Sequence, residues 1–162
     1  MTTESRRTWT EGFVAGLLAF ASVALFFAAL NLVRGEPLLE TVARLGAPLV
    51  PGEGGEDDRV AAIFAYNGVH LAVSLAVGLF AAWLIHEAEL HRNLWYVFFS
   101  VFIAAGFYSI VIMGVVGAEL LSAVGWSDVV GANALWAGTI LVYLLRRHRD
   151  LGARLKGADP EA

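Results

Sequence analysis

Cysteine occurs nowhere in the 162 residues. Disulfides, thiolate zinc sites, cysteine-ligated iron–sulfur clusters and cysteine nucleophiles are therefore excluded by inventory. Charge is also scarce: Asp, Glu, Lys and Arg make up 16% of the chain against 58% hydrophobic residues, and mean hydropathy is +0.66. That is more apolar than a soluble domain of this length needs to fill one core. With a net charge of −4 and no basic run interleaved with aromatics in mid-chain, no nucleic-acid partner is expected. No shift of composition marks a boundary, so residues 1–162 read as a single domain.

The shortage of charge is concentrated. Between Glu11 and Arg34 there are 22 residues without Asp, Glu, Lys or Arg; between Arg59 and Glu87 there are 27, between Arg92 and Glu119 there are 26, and between Asp128 and Arg146 there are 17. An ionised side chain costs a few kcal/mol at the centre of a bilayer, and at about 1.5 Å per residue each run approaches or exceeds a hydrocarbon core of roughly 30 Å. Lipid-facing backbone must satisfy its own hydrogen bonds, and the runs lack the alternation of barrel strands, so they are expected to be helices. The fold class expected is all-α: a polytopic integral membrane bundle of four transmembrane helices at about 12–33, 60–86, 93–118 and 128–146. Trp9, Trp83, Trp95, Tyr96, Trp126 and Tyr143 fall near the ends of these runs, where amphipathic rings sit at headgroup level. A secretory signal is the rival reading of the first run, but its apolar stretch exceeds an h-region of roughly 7 to 15 residues and three further spans follow.

Lys and Arg divide eight to three between the two sides. Arg6, Arg7, Arg92 and the basic tail at 146–162 lie on one, Arg34, Arg44 and Arg59 on the other, which places both termini on the cytoplasmic side of the inner membrane. The first outer loop opens at Glu36–Leu45, where Pro37 suits a first helical turn and Leu38, Val42 and Leu45 recur at helical spacing, predicting a short interfacial helix at about 36–46. Pro48, Pro51, Gly52, Gly54 and Gly55 then break regular structure, and Glu56, Asp57 and Asp58 read as a solvated polar turn before the second span. Gly35, Leu38, Leu39 and Val42 match Gly117, Leu120, Leu121 and Val124 at a constant offset of 82, suggesting two helical hairpins related by a rough twofold axis.

Polar groups inside a span are the default candidates for function, because lipid penalises an unsatisfied one. His70 lies near mid-membrane in the second run, with Tyr66 four residues before it, and Asn67, His70 and Ser74 share one helical face. Tyr108 and Ser109 come from the third span, Asn133 and Trp136 from the fourth. The candidate ligand site is thus Asn67, His70, Ser74, Tyr108, Asn133 and Trp136, a small pocket in the outer half of the bilayer. The plainer reading is that His70 donates to a carbonyl or to Asn133 and that these groups bind helices together, each bond contributing roughly 0.5 to 2 kcal/mol. A third reading points His70 outward to a partner. Bis-histidine haem ligation within one chain would need a second imidazole at matching depth. A cytoplasmic metal site from His86, His91 and His148 with Glu87 or Glu89 is a further candidate, although the spacing of His86 and His91 is not that of a helical zinc pair.

No mid-membrane carboxylate, serine–histidine spacing or glycine-rich phosphate loop is present, which leaves catalysis and ion-coupled transport without machinery. Small residues form stripes instead: Gly12, Gly16 and Ala19; Gly114, Gly117 and Ala118; Gly131, Ala134 and Gly138. Such stripes let helices approach closely, while Phe26, Phe27, Phe98, Phe99 and Phe102 are expected to face lipid or another subunit. The function expected is a non-catalytic accessory or assembly subunit of a larger membrane complex, respiratory or photosynthetic in kind. A homodimeric carrier or channel is the alternative, and haem or quinone binding at His70 a further one.

Overall fold

The computed structural model describes residues 3–52, 55–90 and 124–148, with the isolated positions 96, 100, 103 and 104. All regular structure among them is helical. The chain runs through α1 (Thr3–Arg34), α2 (Glu40–Gly46), a 3-10 turn (Ala47–Leu49), α3 (Glu56–Leu90) and α4 (Trp126–Arg147). Residues 6–34, 56–89 and 126–147 are each long and apolar enough to cross a membrane. At about 1.5 Å per residue they measure ~44, ~51 and ~33 Å, so the first two outlast a hydrocarbon core of ~30 Å. Apart from positions 96, 100, 103 and 104, the expected span at 93–118 lies outside the described residues, as do Tyr108, the basic tail beyond His148 and most of the second half of the offset-82 repeat.

α1 is the axis of the assembly: it packs along both α3 and α4, which touch each other sparingly. The seam with α3 is built from glycine. A Cβ on Gly12 would stand 2.6 Å from the Cα of Leu79, one on Gly16 2.6 Å from the Ser74 carbonyl oxygen, and one on Gly78 2.6 Å from the Gly16 nitrogen. The backbones therefore meet directly, and dispersion between them replaces a hydrophobic force that lipid does not supply. Ala15 and Ala19 continue this face, fully buried, into one core with Ala81, Ala82, Ile85, Ile140 and Leu144. A second core gathers Val23 and Phe27 of α1, Leu45 of α2, and Val124, Val129 and Ala132 at the start of α4. Phe27, expected to face lipid or another subunit, is only 2% exposed: it packs with Leu45 of α2 and with Val129 and Ala132 of α4. The α4 stripe is uneven among the described residues: a Cβ built on Gly131 would stand 3.3 Å from the Phe26 ring, and none of their atoms lies within 4 Å of one built on Gly138. Leu25, Leu32, Val33 and Phe64 are turned outward and strongly exposed.

Local chemistry sets the helix ends. After α1, Gly35 adopts φ +71, its N–H donates to the Leu32 carbonyl (3.2 Å) and the Glu36 N–H to the Asn31 carbonyl (2.9 Å). This paired 5→2 and 6→1 arrangement is a Schellman cap, which favours glycine at the left-handed position. Asn31, fully buried, then reaches forward: its amide donates to the Leu38 carbonyl (2.9 Å) and its oxygen accepts from the Thr41 hydroxyl (2.6 Å). The short helix α2 begins at Glu40 rather than 36, with Thr41, Val42, Ala43, Leu45 and Gly46 buried. Gly46 meets the Ala62 peptide of α3 so closely that a side chain has no room.

Glu56, Asp57 and Asp58, expected in a solvated turn, are instead the first turn of α3, where negative charge complements the helix dipole; Asp58 also accepts from the Gly55 N–H (3.2 Å). The three arginines at this end are all paired. Arg44 contacts Glu36 and Glu40, Arg59 contacts Glu40, and Arg34 grips Asp128.

Candidate functional site

The polar residues of α3 and α4 meet where these helices diverge around α1. A cavity of about 190 Å³ there is lined by Val23 and Phe27 of α1, Leu45 of α2, Tyr66, His70 and Val73 of α3, and Val129, Ala132, Asn133 and Trp136 of α4. None of these side chains is a carboxylate, lysine or arginine. Apolar cavities of about 150 Å³ admit benzene, so this one has room for a single substituted ring.

His70 is the most polar element of the wall. Its ring lies nearly parallel to Tyr66 (centroids 5.6 Å apart, 14° between planes) and tilted against Phe20 at 5.5 Å. The Nε2 atom is buried and has no hydrogen-bonding partner among the described residues. Leaving a polar atom so costs about 1–3 kcal/mol, and a hydrogen-bonding group lodged in the cavity would recover it. The expectation that His70 donates to a carbonyl or to Asn133 is thus not met at this nitrogen. Asn133 instead gives its amide to the Val129 carbonyl one turn back (2.9 Å).

The remaining candidates separate. Asn67 donates to Ile63 within its own helix (2.8 Å) and is not among the residues lining the cavity. Positions 66, 70 and 73 centre the face turned to the cavity, and 67 lies some 60° to one side of 70 at about 100° per residue. Ser74 is fully buried and accepts a hydrogen bond from the Trp136 indole N–H at 2.9 Å, fixing the indole that forms part of the wall. Tyr66 carries more of the wall than its place in the sequence suggested. Its signal was the i, i+4 spacing to His70.

The Ser74–Trp136 bond is the direct polar tie between α3 and α4 at this level. Ser74→Ala and Trp136→Phe are expected to cost roughly 0.5 to 2 kcal/mol each and to be strongly non-additive in thermal unfolding of the detergent-solubilised protein, since either change removes the same bond. Additive losses would show that the bond contributes nothing of its own.

Of the metal candidates, His91 lies outside the described residues and His148 is engaged by two carboxylates, Glu11 and Glu89. No cluster of three or more histidine, aspartate or glutamate side chains among the described residues could hold a metal ion. Comparison with protein-family models, with curated proteins and with solved structures finds no match to this chain.

Proposed function

We propose that the chain is a non-catalytic subunit of a larger membrane assembly and that it holds the ring of a small neutral ligand, quinone-like in its chemistry, beside His70. The observation that carries this reading is the buried, unpartnered Nε2 of His70 in the wall of a cavity of about 190 Å³. A carbonyl or hydroxyl on a flat ring would complete the hydrogen bonding of that nitrogen, Tyr66 and Trp136 offer it aromatic neighbours, and the uncharged lining suits a neutral head group over an ionised one. In the inner membrane, with both termini cytoplasmic as the distribution of arginine favours, the exposed apolar faces of α1 and α3 meet lipid or neighbouring subunits.

The test is purification from the native host in mild detergent, followed by organic extraction of the bound fraction and identification of co-purifying chains. A quinone-type compound is expected in the parent protein and at least tenfold less of it in His70→Ala. Equal amounts in both would remove the ligand reading. A chain that migrates alone while keeping its ligand would remove the assembly reading only. If flux across proteoliposomes fell on replacing His70 and Asn133 by alanine, the homodimeric carrier would take its place.

A further inference from the structure

At the end of the bundle remote from α2, four charged or titratable side chains converge from three helices. His148, the residue that caps α4 at its C-terminal end, is 8% exposed and Glu11 of α1 is 5% exposed. The Nε2 atom of His148 lies 2.9 Å from a Glu11 carboxylate oxygen, and its Nδ1 lies 2.5 Å from a carboxylate oxygen of Glu89, in the last turn of α3. The second oxygen of Glu11 accepts from the Arg7 guanidinium at 3.0 Å. The sequence places His148 in the basic tail, as a candidate metal ligand; in the structure it joins residues 59 and 137 positions away in the chain.

The chemistry of such a hub is restrictive. A carboxylate only accepts hydrogen bonds, so both contacts are hydrogen bonds together only while both ring nitrogens carry hydrogen, the imidazolium form. In that form Arg7 and His148 balance Glu11 and Glu89. When the ring gives one proton to water, a single N–H remains, one carboxylate faces a lone pair, and the cluster holds one uncompensated negative charge in a poorly hydrated place, a costly state. The two arms differ in how they escape it. Glu11 is held by Arg7 and its side chain is 6% exposed, whereas the Glu89 side chain is 38% exposed and sits at the negative end of the α3 dipole.

We infer that the Glu11–His148–Glu89 cluster is a proton-operated latch, closed when the ring is doubly protonated and released on the Glu89 arm when it is not, freeing the end of α3 from the α1–α4 pair. Among the described residues, the other charged or titratable groups near it in the chain are His86 and Glu87 on α3, a turn or less before Glu89, and Arg147 beside His148, whose guanidinium stands 5.9 Å over the Tyr143 ring. Only loss of a ring proton removes one of the two donors, so the latch opens as pH is raised.

The absence of cysteine makes the test clean. Spin labels on Trp83→Cys and Arg146→Cys, both exposed sites, report the separation of α3 and α4 by double electron–electron resonance on the full chain in lipid nanodiscs. One narrow distance is expected at pH 5.5, and a second, longer population holding at least a third of the molecules at pH 8.5. Adding Glu89→Gln should remove the pH dependence, and His148→Ala should show the longer population at both values. A distribution unmoved by pH in the parent, or one that moves equally in Glu89→Gln, overturns the proposal. Nitrogen-15 NMR of the His148 ring in the unlabelled chain supplies an independent reading: protons on both nitrogens at pH 5.5 and on one at pH 8.5 are required, and a ring in one form throughout refutes the latch even where a variant fails to fold.

Discussion

Gly78→Val is expected to prevent the purified protein from remaining monodisperse in detergent, and Gly78→Ala to lower its stability by about 1–3 kcal/mol, the usual cost of forcing extra atoms into a packed interface. The reason is what the added carbon meets. At Gly78 it would lie 2.5 Å from the Gly12 carbonyl oxygen, 2.6 Å from the Gly16 nitrogen and 2.8 Å from the Gly16 Cα. All three are backbone atoms within α1, so no rotamer change relieves the clash and one helix must move off the other. The movement would not stay local: Val23 and Phe27 of α1 face His70 and Val73 of α3 across the cavity, and separating the helices opens that wall. Ligand retention should fall together with stability. Gly68 and Gly138 are the controls, because among the described residues nothing lies within 4 Å of a Cβ at either. Alanine there should be neutral or gain up to about 1 kcal/mol from helix propensity. Thermal unfolding followed by tryptophan fluorescence decides the matter: a melting curve of Gly78→Ala that overlays the parent and the two controls would show that the seam tolerates a side chain.

The outline of three of the four expected helices was legible because a bilayer penalises ionised groups heavily, and a chain surrounded by water has no reason to exclude them over 17 or more consecutive residues. The close approach of α1 was legible on similar grounds, since stripes of glycine and alanine have little use in lipid except contact. Facing was not. Phe27 and Phe64 are equally apolar, yet one is 2% and the other 74% exposed; where lipid is the outer solvent, hydrophobicity no longer distinguishes inside from outside. Helix ends were displaced because α1 and α3 run on past the apolar segment into Thr3–Glu11 and Glu56–Arg59, where capping and ion pairing take over from hydropathy.

The site was half legible. His70, Asn133 and Trp136 could be singled out as polar or amphipathic groups in an apolar setting, and they do line one cavity. Asn67 could not be discarded in advance, because an asparagine that bonds back to its own helix reads in sequence like one that faces a ligand. The pairing of His148 with Glu11, and that of Arg34 with Asp128, span 137 and 94 residues. No local pattern announces such partners; they follow from the way α1 and α4 pack.

The Arg34–Asp128 pair should therefore be the second large lever on stability. Its two hydrogen bonds, Nη1 to Oδ2 at 2.7 Å and Nη2 to Oδ1 at 3.0 Å, form the bidentate fork that only arginine presents. The Asp128 side chain is 8% exposed, while that of Arg34 is 43% exposed. Removing one partner of a fully buried pair costs about 3–5 kcal/mol, and exposed pairs contribute about 0–1. This pair lies between those limits, and Arg34→Ala is expected to lower the melting temperature measurably. It strands a buried carboxylate at the start of α4, where the helix dipole offsets part of the loss. Arg34→Lys should recover about half, because a point charge cannot reproduce the fork. Arg34→Leu combined with Asp128→Leu should return most of the stability, since the pair's chief effect is to keep a charge from being buried alone. The double-mutant cycle read by thermal unfolding is the deciding measurement. If the two single losses simply add in the double variant, the contact is incidental and α4 is held to α1 by its apolar face.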